Sequence, residues 1–168
     1  MSWSEAEKHV LIIGIGNPMR GDDGVGPAVA KRLEQVLASE PVRVMACQQL
    51  LPEMADELSR VELAVFIDAS FDLTPGEVRC LPVEALLDVP QASTHDFDPP
   101  GLLRLSKQIY GRSPRAMIVA IGAESFEFEE KLSPTVMKVF DAVVERVRQI
   151  AIAQSVGKDA GNARAFDS

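Results

Sequence analysis

The stretch from Val10 to Ala30, VLIIGIGNPMRGDDGVGPAVA, narrows the folds open to this chain more than any other part of it. Its first six residues are apolar or glycine, which predicts a fully buried strand. A glycine-rich loop follows, and glycine serves where the backbone needs positive φ or close approach. Asp22 and Asp23 stand side by side in that loop, and apolar residues at helical spacing begin at Val25. This order places two carboxylates at the carboxyl edge of a predicted parallel sheet, where open α/β sheets bind their ligands.

The rest of the chain alternates apolar strands with amphipathic helices. Further strands are predicted at about Val42–Cys47, Leu63–Ile67, Glu77–Leu81 and Arg115–Ile121. Helices are predicted at about Gly24–Ala38, Leu51–Leu58, Pro99–Ile109 and Pro134–Gln154, with a helical fragment at Val83–Leu87. We therefore expect one α/β domain over residues 1–168, a three-layer αβα fold around a five-stranded, twisted, mostly parallel sheet with one antiparallel edge strand. Residues 1–9 and 157–168 are predicted to be flexible tails.

Composition and charge exclude several classes of function. The net charge of −8 argues against a nucleic-acid-binding surface, which needs clustered Lys and Arg. No apolar run reaches the roughly 18 residues that a membrane span requires, and the first ten residues lack the features of a signal peptide. Cys47 and Cys80 form no CxxC motif and are predicted to be buried free thiols of a reducing compartment. A cytoplasmic protein is therefore expected, with a monomer as the default.

Polar side chains follow three of the predicted strands. Asp22 and Asp23 come after the first strand, Asp68 after the third and Glu124 after the fifth, while His95 lies in the loop before the helix that begins at Pro99. The carboxyl ends of parallel strands meet at one edge, so these distant residues can converge there. Two carboxylates and one imidazole suit a borderline divalent ion such as Zn²⁺ or Ni²⁺. The same set could serve as acid, base and orienting group without a metal.

Structural roles compete with each of these assignments. They are the favoured interpretation for Asp22 as a cap, Glu124 as part of a solvated acidic patch, His9 as an exposed terminal side chain, and Asp96 and Asp98 as turn or cap residues. For Asp23, Asp68 and His95 a structural role stays open beside the functional one.

The glycine loop does not fit a nucleotide site. Gly14 and Gly16 follow a strand, but Met19 stands where a dinucleotide fingerprint needs its third glycine. Two aspartates would also face the pyrophosphate, and like charges disfavour a phosphate there. The sequence contains neither GxxxxGK[ST] nor GxSxG, so a P-loop and the usual serine-hydrolase elbow are absent as well. A nucleotide-dependent enzyme is accordingly a minor alternative.

Several motifs together resemble a known family. Gly14-Ile15-Gly16-Asn17, followed by Gly21-Asp22-Asp23-Gly24-Val25-Gly26, resembles the N-terminal signature of the hydrogenase maturation proteases. These endopeptidases trim the C-terminal extension from the large subunit of [NiFe] hydrogenases. Weaker matches follow in the family's order, at Gln49-Leu50-Leu51-Pro52-Glu53, Ile67-Asp68-Ala69 with Pro75-Gly76, Ser93-Thr94-His95, Gly122-Ala123-Glu124 and Leu132-Ser133-Pro134. The resemblance spans about Val10 to Val147.

The resemblance implies a metal-dependent, aspartate-type endopeptidase. The family's metal-binding and catalytic residues fall on Asp23, Asp68 and His95, although some members carry Glu where Asp23 stands. It implies that these ligands recognise nickel already held by the hydrogenase large-subunit precursor, and that other divalent ions such as zinc can substitute. No Ser, Cys or Thr nucleophile is implied, and water activation by the metal or by a carboxylate stays open. The alternative is a non-catalytic nickel- or partner-binding protein on the same fold.

Overall fold

The predicted strands and helices are present, with boundaries shifted by a few residues. The structure, a computed structural model, describes residues 4, 8–83 and 98–156. Its strands are β1 (Val10–Ile15), β2 (Val42–Cys47), β3 (Leu63–Ser70), β4 (Val78–Pro82) and β5 (Arg115–Gly122). Its helices are α1 (Val25–Val36), α2 (Met54–Leu58), α3 (Pro99–Tyr110) and α4 (Pro134–Val156), and a 3-10 turn over Gly21–Gly24 precedes α1. The helical fragment predicted at Val83–Leu87 lies almost wholly outside the described residues.

The five strands form one sheet in the order β2-β1-β3-β5-β4. All neighbouring pairs are parallel except β4 and β5, which are antiparallel. Every residue of β1 is buried, whereas inward and outward residues alternate along β4. A continuous apolar run is typical of a central parallel strand and alternation of an edge strand. The predicted mostly parallel sheet with one antiparallel edge strand is therefore confirmed.

Helices cover both faces of the sheet. On one face, α1 and α4 pack in a core that includes Leu33, Val65 and Val147. On the other face, α2 and α3 pack in a second core around Phe66 and Leu102. Val65 and Phe66 are neighbours in β3 that point to opposite faces, as the two-residue period of a strand requires. The three-layer αβα arrangement is thus confirmed.

The crevice at the carboxyl edge of the sheet follows from the strand order. From β1 the chain passes through α1 to β2 on one side, and it then returns through α2 to β3 on the other side. The loops after β1 and β3 therefore diverge, and open α/β sheets hold their ligands at such a switch point. The first turn of α1 touches both strands, because a Cβ on Gly26 would lie 2.5 Å from the carbonyl oxygens of Ile15 and Ile67. This contact fixes the β1–α1 loop over the crevice.

Two predictions about individual side chains are wrong. His9 is half-buried and not exposed. Its backbone N–H donates to the Pro41 carbonyl at 3.0 Å, and its carbonyl accepts from the Glu62 N–H at 2.9 Å. The backbone therefore forms hydrogen bonds with the residues that precede β2 and β3 one residue before β1 begins. Cys47 and Cys80 are free, as predicted, but they are half-buried and not buried. No helix in the described part of the chain is long and apolar enough to cross a bilayer.

Candidate active site

Asp23 is held in the 3-10 turn that follows β1. The backbone N–H of Asn17 donates to its Oδ2 at 2.7 Å, which folds the side chain back toward the end of the strand. The turn passes directly over Gly16, where φ is +145° and a Cβ would meet the carbonyl oxygen of Asp23. Only glycine allows this approach. Asp23 stays partly exposed at the mouth of the crevice.

Asp68 lies inside β3, and not in a loop after it. The strand continues to Ser70, and Asp68 is paired with Ala120 of β5. It is partly buried on the face that also carries Phe66. Burial raises the pKa of the Asp68 carboxyl from its ordinary value near 3.8 to about 7, and the Asp23 carboxylate adds to this rise against a hydrogen bond with the Ala69 backbone. Asp23 and Asp68 therefore lie within electrostatic reach of each other.

Cys47 ends β2 at the same edge of the sheet. It is paired with Ile15, the last residue of β1, and its carbonyl accepts from the Gly16 N–H at 2.9 Å. Burial raises the pKa of its thiol, and the Asp68 carboxylate raises that pKa further. The sequence predicts that Cys47 lies in a strand, but it does not predict that Cys47 lies beside Asp23 and Asp68. The position of Cys47 at the carboxyl end of a predicted strand was the only hint in the sequence. Its pairing with Ile15 of β1 then places it beside the crevice.

Asp22 has a structural role, but the predicted role as a cap is wrong: neither the turn over Gly21–Gly24 nor α1 has a side-chain cap, and the partners of Asp22 lie more than 100 residues away in sequence. It is fully buried. Its Oδ2 accepts from the backbone N–H groups of Glu124 and Ser125 at 2.8 and 3.2 Å, and from the Ser133 hydroxyl at 2.8 Å. Its Oδ1 accepts from the Ser133 N–H at 2.7 Å. The carboxylate thus fastens the segment after β5 to the loop that carries Asp23.

Of the remaining candidate site residues, two have structural or surface positions and two lie outside the described residues. Glu124 exposes its side chain, which fits the solvated acidic patch. Asp98 caps α3, since its Oδ1 accepts from the Gly101 N–H at 2.8 Å. His95 and Asp96 lie outside the described residues, so the convergence of His95 with the two aspartates stays a prediction.

In the described part of the chain the candidate metal ligands are Asp23 and Asp68, and two side chains are not a complete ligand set. Across residues 8–83 and 98–156, no group of three or more His, Cys, Asp and Glu side chains is arranged to hold a metal ion. Asp23 offers carboxylate oxygens from the turn after β1 and Asp68 offers them from β3, and a cation between them would offset their repulsion. A carboxyl group with a pKa near neutrality can also give or take a proton at physiological pH. The arrangement suits hydrolytic chemistry in which water is the nucleophile.

Sequence comparisons match most of this chain to one family of proteins. The family model HycI, described as hydrogenase maturation protease, matches residues 27–150. A Methanocaldococcus jannaschii protein, named provisionally as a hydrogenase maturation protease, is 25% identical over 147 residues, which cover 83% of this chain and 94% of the relative.

Two solved structures share the fold. The hydrogenase maturating endopeptidase HybD from E. coli superimposes with a TM-score of 0.71 at 23% identity, covering 89% of this chain and 94% of HybD. The [NiFe] hydrogenase maturation protease HycI from Thermococcus kodakarensis has a TM-score of 0.71 at 23% identity, covering 86% and 93% of the two chains. Identities this low establish the architecture alone, whereas the family model covers most of the sequence. The chain belongs to the hydrogenase maturation protease family.

Proposed function

We propose that this protein removes the C-terminal extension of a [NiFe] hydrogenase large-subunit precursor and acts on the precursor that already holds nickel. Nickel is then part of the substrate, and Asp23, Asp68 and His95 are the groups that engage it. Zinc or another divalent ion can take its place at the same ligands. Membership of the maturation protease family supports the class of reaction.

The observation that carries the proposal is the pairing of Asp23 with Asp68 at the switch point of the sheet. Two acids of like charge in a partly buried crevice destabilise the free protein, and such an arrangement is typical of functional sites. A nickel ion presented by the precursor would relieve their repulsion. Two carboxylates are a weak site by themselves, so tight engagement would need ligands from the precursor. This dependence would link cleavage to nickel loading.

Two routes to cleavage fit this donor set. In one, the precursor's nickel polarises the scissile carbonyl. In the other, Asp23 or Asp68 directs a water molecule onto that carbonyl as a general base. Neither route uses a side-chain nucleophile. The nearby Cys47 thiol is therefore not required, and its replacement provides a useful control.

The test is a processing assay with purified components. The protein is incubated with nickel-loaded and nickel-free precursor, and loss of the C-terminal peptide is followed by mass spectrometry. We expect wild type to cut only the loaded precursor, and Asp23→Asn, Asp68→Asn and His95→Ala to reduce the rate by roughly 10²-fold or more. Cys47→Ala should retain activity.

Three outcomes would contradict the proposal in different ways. Undiminished cleavage by the Asp23, Asp68 and His95 variants would remove the assigned site. Equal cleavage of nickel-free precursor would remove the nickel requirement. A stable complex with loaded precursor, without any shortening of it, would favour the alternative of a non-catalytic nickel- or partner-binding protein.

A further inference from the structure

Three phenylalanines lie on the segments that follow β3 and β5, two of the strands that end at this edge of the sheet. Phe71 comes three residues after Asp68 and is 72% exposed, and Phe128 is 81% exposed. The rings of Phe71 and Phe126 stack with their centroids 3.6 Å apart and their planes at 30°. We refer to Phe71, Phe126 and Phe128 as the aromatic platform. Single exposed apolar residues need no explanation, but a stacked pair next to a catalytic crevice indicates a contact surface.

The segment that carries Phe126 and Phe128 is fixed to the loop that carries Asp23. Asp22 accepts hydrogen bonds from the backbone just before Phe126 and from Ser133 after Phe128. In the other direction, the Gly21 N–H donates to the Glu129 carbonyl at 2.7 Å, and the Glu129 N–H donates to the Met19 carbonyl at 2.9 Å. The platform is therefore presented at a set position relative to the two site carboxylates. A surface ordered in advance avoids much of the entropy loss of binding.

Acidic side chains lie on the same segments as the platform. The same segments expose five carboxylates, those of Asp72, Glu124, Glu127, Glu129 and Glu130. These segments expose one basic residue, Lys131, and the exposed Arg20 of the β1–α1 loop forms a β-bridge with Glu129. We call the five acids the acidic rim. Apolar rings on segments rich in exposed carboxylates complement a chain segment that carries apolar and basic side chains, and the carboxylates repel an acidic one.

We propose that the aromatic platform and the acidic rim form the docking surface for the precursor segment next to the scissile bond. The inference rests on the proposed function and names which part of the substrate this surface holds. Phe71 lies three residues along an extended chain from Asp68, at most about 11 Å away. An extended substrate would cover that distance with about three residues. An apolar side chain some three residues from the cut would then pack on the rings, with basic neighbours facing the rim.

The test measures kcat and KM for nickel-loaded precursor with Phe71→Ala and Phe128→Ala. We expect KM to rise about tenfold for each variant while kcat stays within about twofold, because the rings bind the substrate without taking part in the chemistry. Ile109→Ala removes another exposed apolar side chain, on α3, and should behave as wild type. Glu127→Lys should also raise KM, and added salt should weaken this effect. Thermal unfolding of every variant verifies that the fold is intact.

A binding measurement separates this inference from the proposed function. In an Asp23→Asn background, Phe71→Ala should weaken the Kd for the precursor about tenfold whether or not cleavage occurs. If wild type does not cleave the precursor but Phe71→Ala still weakens precursor binding, the proposed function is overturned and the docking surface is not. Unchanged KM and Kd in the phenylalanine variants would overturn the docking surface and leave the protease assignment standing. A change in sedimentation mass without a change in KM or Kd would overturn it too, since the platform would then join two copies of this chain.

Discussion

Asp22 and Ser133 are joined twice across 111 residues of sequence, since the Ser133 N–H donates to one carboxylate oxygen at 2.7 Å and its hydroxyl donates to the other at 2.8 Å. The same hydroxyl accepts from the Val136 N–H at 3.2 Å and so caps the start of α4. Asp22 therefore connects the β1–α1 loop to the last helix, while Asp23, its neighbour in sequence, lies near Asp68. Two adjacent carboxylates have separate roles because one is buried and fully bonded and the other is partly exposed.

Replacing Asp22 by Ala should destabilise the protein strongly. The substitution leaves the donors of Glu124, Ser125 and Ser133 without their acceptor in a buried place, so we expect a loss of about 3–5 kcal/mol in the free energy of unfolding. Urea titration measures this loss. Asp141→Ala removes a highly exposed carboxylate on α4 and serves as the matched control, which should leave the midpoint unchanged. Equal midpoints for the two variants would show that the Asp22 bonds contribute nothing.

Replacing Asp68 by Asn should stabilise the protein in a pH-dependent way. Because the pKa of Asp68 rises from near 3.8 to about 7 on folding, the folded state binds more protons than the unfolded state within that window. The stability of wild type should therefore fall as pH rises from about 4 to 7 relative to Asp68→Asn, with a full difference on the order of 2–4 kcal/mol above pH 7. Urea unfolding at a series of pH values checks the curve. A difference between the two proteins that does not change with pH would contradict it.

Divalent cations should bind more tightly as pH rises. A cation between Asp23 and Asp68 needs both carboxylates ionised, so Ni²⁺ must displace the proton that Asp68 holds below pH 7. We expect Ni²⁺ to raise Tm more at pH 8 than at pH 5.5, and EDTA to reverse the shift. Asp23→Asn is the comparison, and it should lose most of the effect. A shift of the same size in this variant would place the ion elsewhere.

Local sequence signals predicted the framework better than the site. Continuous apolar runs identified β1 and β3, and Ser133 before Pro134 identified the start of α4, because these features depend on neighbouring residues alone. The extension of β3 through Asp68 depends on pairing with β5, which no local propensity encodes. The bonds from Asp22 to Ser125 and Ser133 likewise depend on the assembled fold. The sequence therefore predicted that acids would meet at this edge and favoured a structural role for Asp22, but the partners of Asp22 could be identified only in the structure.

A methyl group on Gly26 should disturb the site through packing. Its Cβ would lie 2.5 Å from the carbonyl oxygens of Ile15 and Ile67, so Gly26→Ala must push α1 away from β1 and β3. That movement would shift the position of Asp23 relative to Asp68. We expect the free energy of unfolding to fall by about 1–3 kcal/mol or more and precursor processing to slow by at least roughly tenfold.

The control for this substitution is another glycine, Gly111, which ends α3. It has φ +75° and nothing within 4 Å of an added Cβ, so Gly111→Ala introduces backbone strain without a clash. That strain should cost about 1–2 kcal/mol and leave the processing rate unchanged. Urea unfolding and the cleavage assay, run on both variants, separate the two effects. If Gly26→Ala processes the precursor at the wild-type rate, the contact of α1 with β1 and β3 does not set the position of Asp23.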